Sequence, residues 1–127
     1  MDYVYDAEVI RVVDGDTVIL RVFKEVTVDF GFHLKETVIK EYTGNFRLLG
    51  IDTPEPRGRK ADPIPARAAT ERLKELLATA QRIEARTEKD PDNFGRYLVT
   101  LIGHTQAGNY NINETLLKEG HAVPYDR

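Results

Sequence analysis

Three short stretches of this sequence gather acidic and basic side chains around turn-forming residues: Asp14-Gly15-Asp16, Arg47 with Asp52-Thr53-Pro54-Glu55, and Gly95-Arg96. Pro54 biases Thr53 towards an extended conformation and has no backbone N–H, which leaves the Thr53 carbonyl able to serve as an oxygen ligand. Asp52 and Glu55, three residues apart across that kink, can converge on one volume. A few carboxylates, a carbonyl and waters suit a hard cation such as calcium or magnesium, not zinc or copper. Arg47 and Arg96 offer guanidinium forks, and two at one site have the geometry to grip a phosphodiester. Each stretch also has a plainer reading. Asp-Gly-Asp alone is most often a turn, Asp52 to Glu55 reads equally as a solvated capped turn, and a lone arginine opening a strand is most often a surface residue.

The elements around these stretches decide whether they can meet. "AEVIRVV" (7–13) and "TVILRVF" (17–23) are β-branched runs joined by an Asp-Gly hairpin signal. Val18 and Leu20 share the side-chain parity of Asp16, so if they face the core, Asp16 points into the same concavity from its rim. "VTVDFGFHL" alternates Val26, Val28, Phe30, Phe32 and Leu34 with other residues, the period of a half-buried strand. "TVIKEY" and "NFRLLGI" continue the sheet, with "TGN" between them expected to be a turn or bulge. A Pro/Gly/basic loop, "PRGRKADPIP", precedes a helix whose Ala66, Ala69, Leu73, Leu76, Leu77 and Ala80 form one apolar stripe. "RIEART" and "YLVTLIG" read as strands around the polar loop "EKDPDNFGR", and "NINETLLKEG" closes as a short helix. Asn111 caps that helix, Glu114 completes a capping-box-like pair and Gly120 takes the C′ position. The fold class is α+β, with the early strands forming a barrel or a strongly bent sheet.

Composition narrows the function classes. The 127 residues suit one domain spanning 1–127, and the absence of cysteine excludes disulfides and Cys-ligated zinc. His33, His104 and His121 are scattered without metal-ligand spacing, and no phosphate-binding GxxxxGK[ST] loop is present. A net charge of −3 argues against coating nucleic acid by bulk electrostatics, but not against a local site. No apolar stretch is long enough to span a bilayer. The opening residues do not read as a signal peptide, so the default expectation is cytoplasmic, or secreted if a leader was removed.

Taken in order, "VVDGDTV", "FRLLGIDTPE" and "FGRYL", with a helix between the last two, resemble the staphylococcal nuclease-like (thermonuclease) family, and "NINETLLKEG" looks like its short second helix. The resemblance runs from about Tyr5 to Tyr125. It implies a five-stranded OB-like β-barrel with helices packed against it, hydrolysing phosphodiester bonds of DNA or RNA with calcium. By resemblance, Asp16, Asp52 and the Thr53 carbonyl are metal ligands, with Asp14 close by. Glu55 positions or deprotonates the attacking water, and Arg47 and Arg96 bind the scissile phosphate. Nucleic acid is then the substrate and the chain is expected to be a monomer with no obligate protein partner. Four features depart from the secreted enzyme. Lys24 to Asn45 is longer, Asn93-Phe94 stands where that enzyme has Lys-Tyr, the placement of Tyr125 against its terminal tyrosine is unsettled, and the chain stops before a third helix. The rival is a non-catalytic OB-fold module binding single-stranded nucleic acid, with Phe30, Phe32, Tyr42 and Phe94 available for stacking. Asp16, Asp52 and Glu55 tell against it, because carboxylates without a cation repel phosphates.

Overall fold

The computed structural model describes residues 3–91 and 95–125. β-Branched and aromatic residues fill the first half of the chain, which forms three long strands: β1 (Tyr3–Asp14), β2 (Thr17–Asp29) and β3 (Lys35–Leu48). The two-residue β4 (Ile51–Asp52) leads towards α1 (Pro63–Thr79). Then come β5 (Arg82–Lys89), β6 (Tyr97–Thr105), β7 (Gly108–Asn111), α2 (Ile112–Lys118) and β8 (Val123–Pro124). Strand β3 pairs with β2, β2 with β1, β1 with β5 and β5 with β6, all antiparallel. A parallel pairing of Phe46–Leu48 with Tyr97–Val99 returns β6 to β3. The five strands thus form a ring, as an OB-like fold requires.

Alternation along β2 and β3 sends Val18, Leu20, Phe46 and Leu48 inward, where they are fully buried with Val99 and Leu101. The apolar stripe of α1 falls as the periodicity predicts, burying Ala66, Ala69, Leu73, Leu76 and Leu77. Helix α2 buries Ile112 and Leu116 against the same core. Its first turn is capped by the Asn111 side chain, which accepts from the Glu114 N–H. Its end is a Schellman turn: Gly120, at φ 80°, donates to the Leu117 carbonyl and His121 donates to that of Leu116. No helix among the described residues is long and apolar enough to cross a membrane.

Two sequence expectations need correction. The alternating run Val26 to Leu34 is not a half-buried strand. It belongs to a ribbon in which β2 and β3 extend beyond the ring, paired as far as Asp29 and Lys35 and turned by Gly31, Phe32 and His33 at positive φ. Among the described residues only β2 and β3 pair there and none covers the alternating face, so Phe30, Phe32 and Leu34 are exposed. Nor is "TGN" a turn or bulge: Thr43, Gly44 and Asn45 pair in unbroken register with Arg21, Leu20 and Ile19. Gly44 is required by packing, since a Cβ there would lie 2.5 Å from the Tyr42 hydroxyl folded across it.

Asn113 locks α2 onto the ring. It is 4% exposed; its Oδ1 accepts from the Leu101 N–H, and its Nδ2 donates to the carbonyls of Leu49 and Val99. Removing it leaves the Leu101 donor and the Leu49 acceptor without that partner. Asn113→Ala is expected to lower unfolding free energy by about 2–4 kcal/mol in urea titrations. Asn113→Asp should be at least as damaging at neutral pH, because a carboxylate accepts but cannot donate.

Candidate active site

The turn Gly15-Asp16 that joins β1 to β2 is pressed between α1 and the chain leaving β4. A Cβ on Gly15 would come within 2.9 Å of both Ala69 Cβ and Thr53 Oγ1, so a side chain there would push the turn away. Asp16 faces inward with Val18 and Leu20 and is 7% exposed. Its Oδ2 accepts from the Thr53 N–H at 3.2 Å and its Oδ1 from the Thr17 hydroxyl at 3.1 Å. The Asp16 N–H donates to Asp14 Oδ1 at 3.1 Å, and the Leu48 N–H donates to the Asp16 carbonyl at 2.8 Å. The loop after β3 and the β1–β2 turn are thereby held as one unit.

Arg47 stands opposite Thr17 in the β2–β3 register. One guanidinium nitrogen, Nη2, lies 3.0 Å from Asp52 Oδ1 and 3.7 Å from Asp16 Oδ2, so the two carboxylates share a single positive group. Strand β8 pairs with β4 and brings Tyr125 beside it, with the guanidinium carbon 5.1 Å from the ring centroid. Arg47 Nε is buried and has no hydrogen-bond partner among the described residues. That donor is the sort of group an incoming anion would satisfy.

Arg96 is reached differently. Gly95, at φ 87°, turns the chain into β6, and Arg96 Nε and Nη2 both donate to Asp90 Oδ2, at 3.1 and 3.0 Å. The Asp90 side chain is fully buried. Arg47 and Arg96 therefore sit on strands paired in parallel but have different carboxylate anchors. Glu55 is exposed in the loop after β4, its backbone tied to Ala61 and Asp62, and its side chain makes no hydrogen bond or ion pair among the described residues. The structure thus gathers Asp14, Asp16, Arg47, Asp52 and Thr53 closely, and leaves Glu55 and Arg96 outside that contact network. Asn93 and Phe94 lie outside the described residues.

Two partners escaped sequence reasoning. Asp90 sits in a stretch whose composition reads only as a polar loop, and no spacing rule marks it as the anchor of Arg96. Tyr125 was in view as a terminal tyrosine of unsettled placement; its approach to Arg47 depends on a two-residue strand too short for periodicity to reveal.

The Asp14–Asp16 pair is electrostatically unequal. Burial, reinforced by the neighbouring Asp16 carboxylate, pushes Asp14 up to about 6. Burial acts on Asp16 in the same direction, but hydrogen bonds from Asp14 and the Thr53 N–H, together with Arg47, outweigh it and hold Asp16 below the usual carboxylate range. Asp14 adds a third acid beside Asp16 and Asp52, which already share the one Arg47 guanidinium. The donor set around them, carboxylate and carbonyl oxygens only, suits a hard cation. Among the described residues no three Asp, Glu, His or Cys side chains cluster closely enough to hold a metal ion by themselves.

A family model described as Staphylococcal nuclease homologue matches residues 45–127, a span that includes Arg47, Asp52, Thr53, Glu55 and Arg96. The chain is 29% identical over 143 residues to the uncharacterized protein MJ1439 of Methanocaldococcus jannaschii, across 95% of this chain and 59% of that protein. It is 32% identical over 129 residues to Endonuclease YhcR of Bacillus subtilis, across 95% of this chain and 9% of that protein. The chain thus spans less than two thirds of either relative.

The acid pair makes a pH prediction. Asp14 binds its proton more tightly folded than unfolded, so it favours folding below the ordinary carboxylate range and opposes it as pH rises through about 6. Asp16 acts in the opposite sense: its contribution is present above the ordinary range and lost as pH falls. Asp14→Asn keeps an acceptor for the Asp16 N–H and removes the costly charge. In chelator, its melting temperature should exceed the parent's by a few degrees above neutrality, and the gap should close towards pH ~4. A gap independent of pH would contradict this assignment.

Proposed function

Because this chain belongs to the staphylococcal nuclease homologue family, we propose that it is a calcium-dependent nuclease hydrolysing phosphodiester bonds of DNA or RNA. One observation carries the reading. Arg47 is anchored between two carboxylates by Nη2, while its buried Nε has no hydrogen-bond partner among the described residues. A guanidinium merely neutralising Asp16 and Asp52 would not need a second donor held out of water. The name of the Bacillus relative, an endonuclease, points the same way.

In this reading Asp16, Asp52 and the Thr53 carbonyl hold the ion. When bound, it supplies a Lewis acid for a phosphate oxygen and makes water a stronger nucleophile. The chain's own residues do the rest. The Thr53 N–H fixes the Asp16 carboxylate, so one ligand needs no reorganisation on binding. Arg47 Nε takes a non-bridging phosphate oxygen and opposes the charge that builds on it. Arg96, with Nε and Nη2 occupied by Asp90, offers its remaining Nη1. Glu55, exposed on its loop, accepts the proton of the attacking water. A base must come within about 3 Å of that proton's oxygen, and such contacts often tighten only in the substrate complex.

Two carboxylates and one carbonyl supply fewer than the six to eight oxygens calcium takes, so water and substrate must complete its shell. Half-maximal activity is accordingly expected at sub-millimolar to millimolar calcium, on the order of 10⁻⁴–10⁻³ M. Plasmid and single-stranded DNA should be degraded in calcium and left intact in chelator. Arg47→Ala and Arg96→Ala should each lower kcat/KM at least about 100-fold. Glu55→Gln should lower kcat by about 10²–10⁴-fold with the thermal melt unchanged. Full activity in Glu55→Gln would remove it as the base. Binding without cleavage under any divalent ion would replace the enzyme by the nucleic-acid-binding module.

A further inference from the structure

Four exposed or half-buried tyrosines collect around one cavity, over the buried Phe46. Tyr3 and Tyr5 at the start of β1, Tyr42 and Phe46 on β3, and Tyr97 opening β6 line a cavity of about 560 Å³. Tyr42 stands edge-on to Phe46 and to Tyr97, with ring centroids 6.2 and 5.6 Å apart. These contacts hold Tyr42 in place although it is 45% exposed, and Tyr3, 59% exposed, adds a further ring at the rim. Large aromatic surface kept both rigid and wet at a concave site marks a binding surface.

Lysines surround it. Lys40 and Lys89 line the cavity, and Lys24 lies directly opposite Lys40 where the β2–β3 ribbon leaves the ring. None of the three forms an ion pair among the described residues. Like charges directly opposite on paired strands repel, so the Lys24–Lys40 pair is better placed with an anion between than without one. Two carboxylates also border the cavity. Glu41 is already ion-paired with Arg21, and Glu88 lies beside Lys89 and opposes a phosphate on its own side, so the proposed phosphate contacts are the lysines alone. Rings at the centre and unpaired cations at the rim are the combination that binds a single strand, bases stacking and phosphates on the lysines.

We propose that this cavity takes a nucleobase of a single-stranded nucleic acid, with the flanking phosphates lying along Lys24, Lys40 and Lys89. The inference deepens the nuclease reading and rests on it for the identity of the strand. Tyr97, which lines the cavity, directly follows Arg96 in the chain, so the proposed strand would place a phosphate at Arg96 and a base in the cavity. A duplex would first have to unstack a base to fill it, which gives the enzyme a preference for unpaired substrate.

The test is a binding titration in chelator, where cleavage is silent, with fluorescein-labelled oligothymidylate and its duplex as probes. The chain has six tyrosines and no tryptophan, and four of the six line the cavity, so the share of quenching lost in Tyr3→Ala and Tyr42→Leu reports on it. Oligothymidylate should quench tyrosine emission saturably, and the duplex should bind about tenfold more weakly. Tyr3→Ala and Tyr42→Leu should each weaken binding about tenfold. Lys24→Glu with Lys40→Glu, on the exposed ribbon and remote from the buried core, should weaken it and flatten its salt dependence. Binding without quenching, or undiminished in both Tyr3→Ala and the lysine pair, overturns the proposal. The same oligonucleotide incubated with calcium separates the two readings. Cleavage with undiminished binding by the cavity variants sinks the cavity alone. Failure to cleave under any divalent ion, with binding still lost in those variants, sinks the nuclease and leaves the cavity.

Discussion

The hydrogen bond from the Thr53 N–H to the Asp16 carboxylate joins two turns separated by 37 residues, and the arrangement of the site depends on it. It stitches the β1–β2 turn to the chain leaving β4, under the floor of α1, at a point where Gly15 leaves no room for a side chain. Break it and Asp16 becomes a buried acid short of partners, a state costing several kcal/mol unless it takes up a proton. With it, a carboxylate stays ionised inside the protein. Its charge then acts on its neighbours: it adds to the burial that raises Asp14 to about 6 on one side, and Arg47 is drawn in on the other.

This explains how a chain of net charge −3 can hold arginines partly buried without a basic surface. Arg47 is not a surface charge screened by salt. It is partly buried between two acids, with Tyr125 packed near its guanidinium and one donor without a hydrogen-bond partner among the described residues. Arg96 repeats the device more simply, its fork fixed by a single buried carboxylate. In both cases an acid holds the arginine in position and reduces the side-chain ordering left to be done when substrate arrives. The same logic limits the proposed cation site: acids that also serve arginines would not form a dedicated cage.

Much of the fold was readable because the periodicities are strong. Parity placed Asp16 on the inner face with Val18 and Leu20, the helical stripe named the buried face of α1, and cap residues marked both ends of α2. What misled was local pattern without tertiary context. Val26 to Leu34 alternates as a half-buried strand does, but the alternation cannot say whether anything covers the face, and here the ribbon outruns the ring. Gly44 has the composition of a turn, whereas it makes room for Tyr42 inside a regular strand. Asn113 looks like one more polar residue in a short helix, although it carries three buried hydrogen bonds. The expected site was part visible in the same way. Asp52-Thr53-Pro54 set its own geometry locally, so the cluster around Asp16 was within reach of sequence. The anchors Asp90 and Tyr125 were not, because each meets its arginine through chain folding that no spacing encodes.

In the proposed site Asp16, fixed by Thr53, is the acid on which a divalent ion would settle in competition with Arg47. The Thr53 amide proton reports directly on that bond. Followed by ¹H–¹⁵N NMR through a calcium titration, it should shift saturably in the parent protein. It should shift at lower calcium in Arg47→Met, where the competing guanidinium is gone, and hold still in Asp16→Asn. Calcium binding that leaves the Thr53 amide unmoved, or that survives Asp16→Asn at full affinity, would contradict the account.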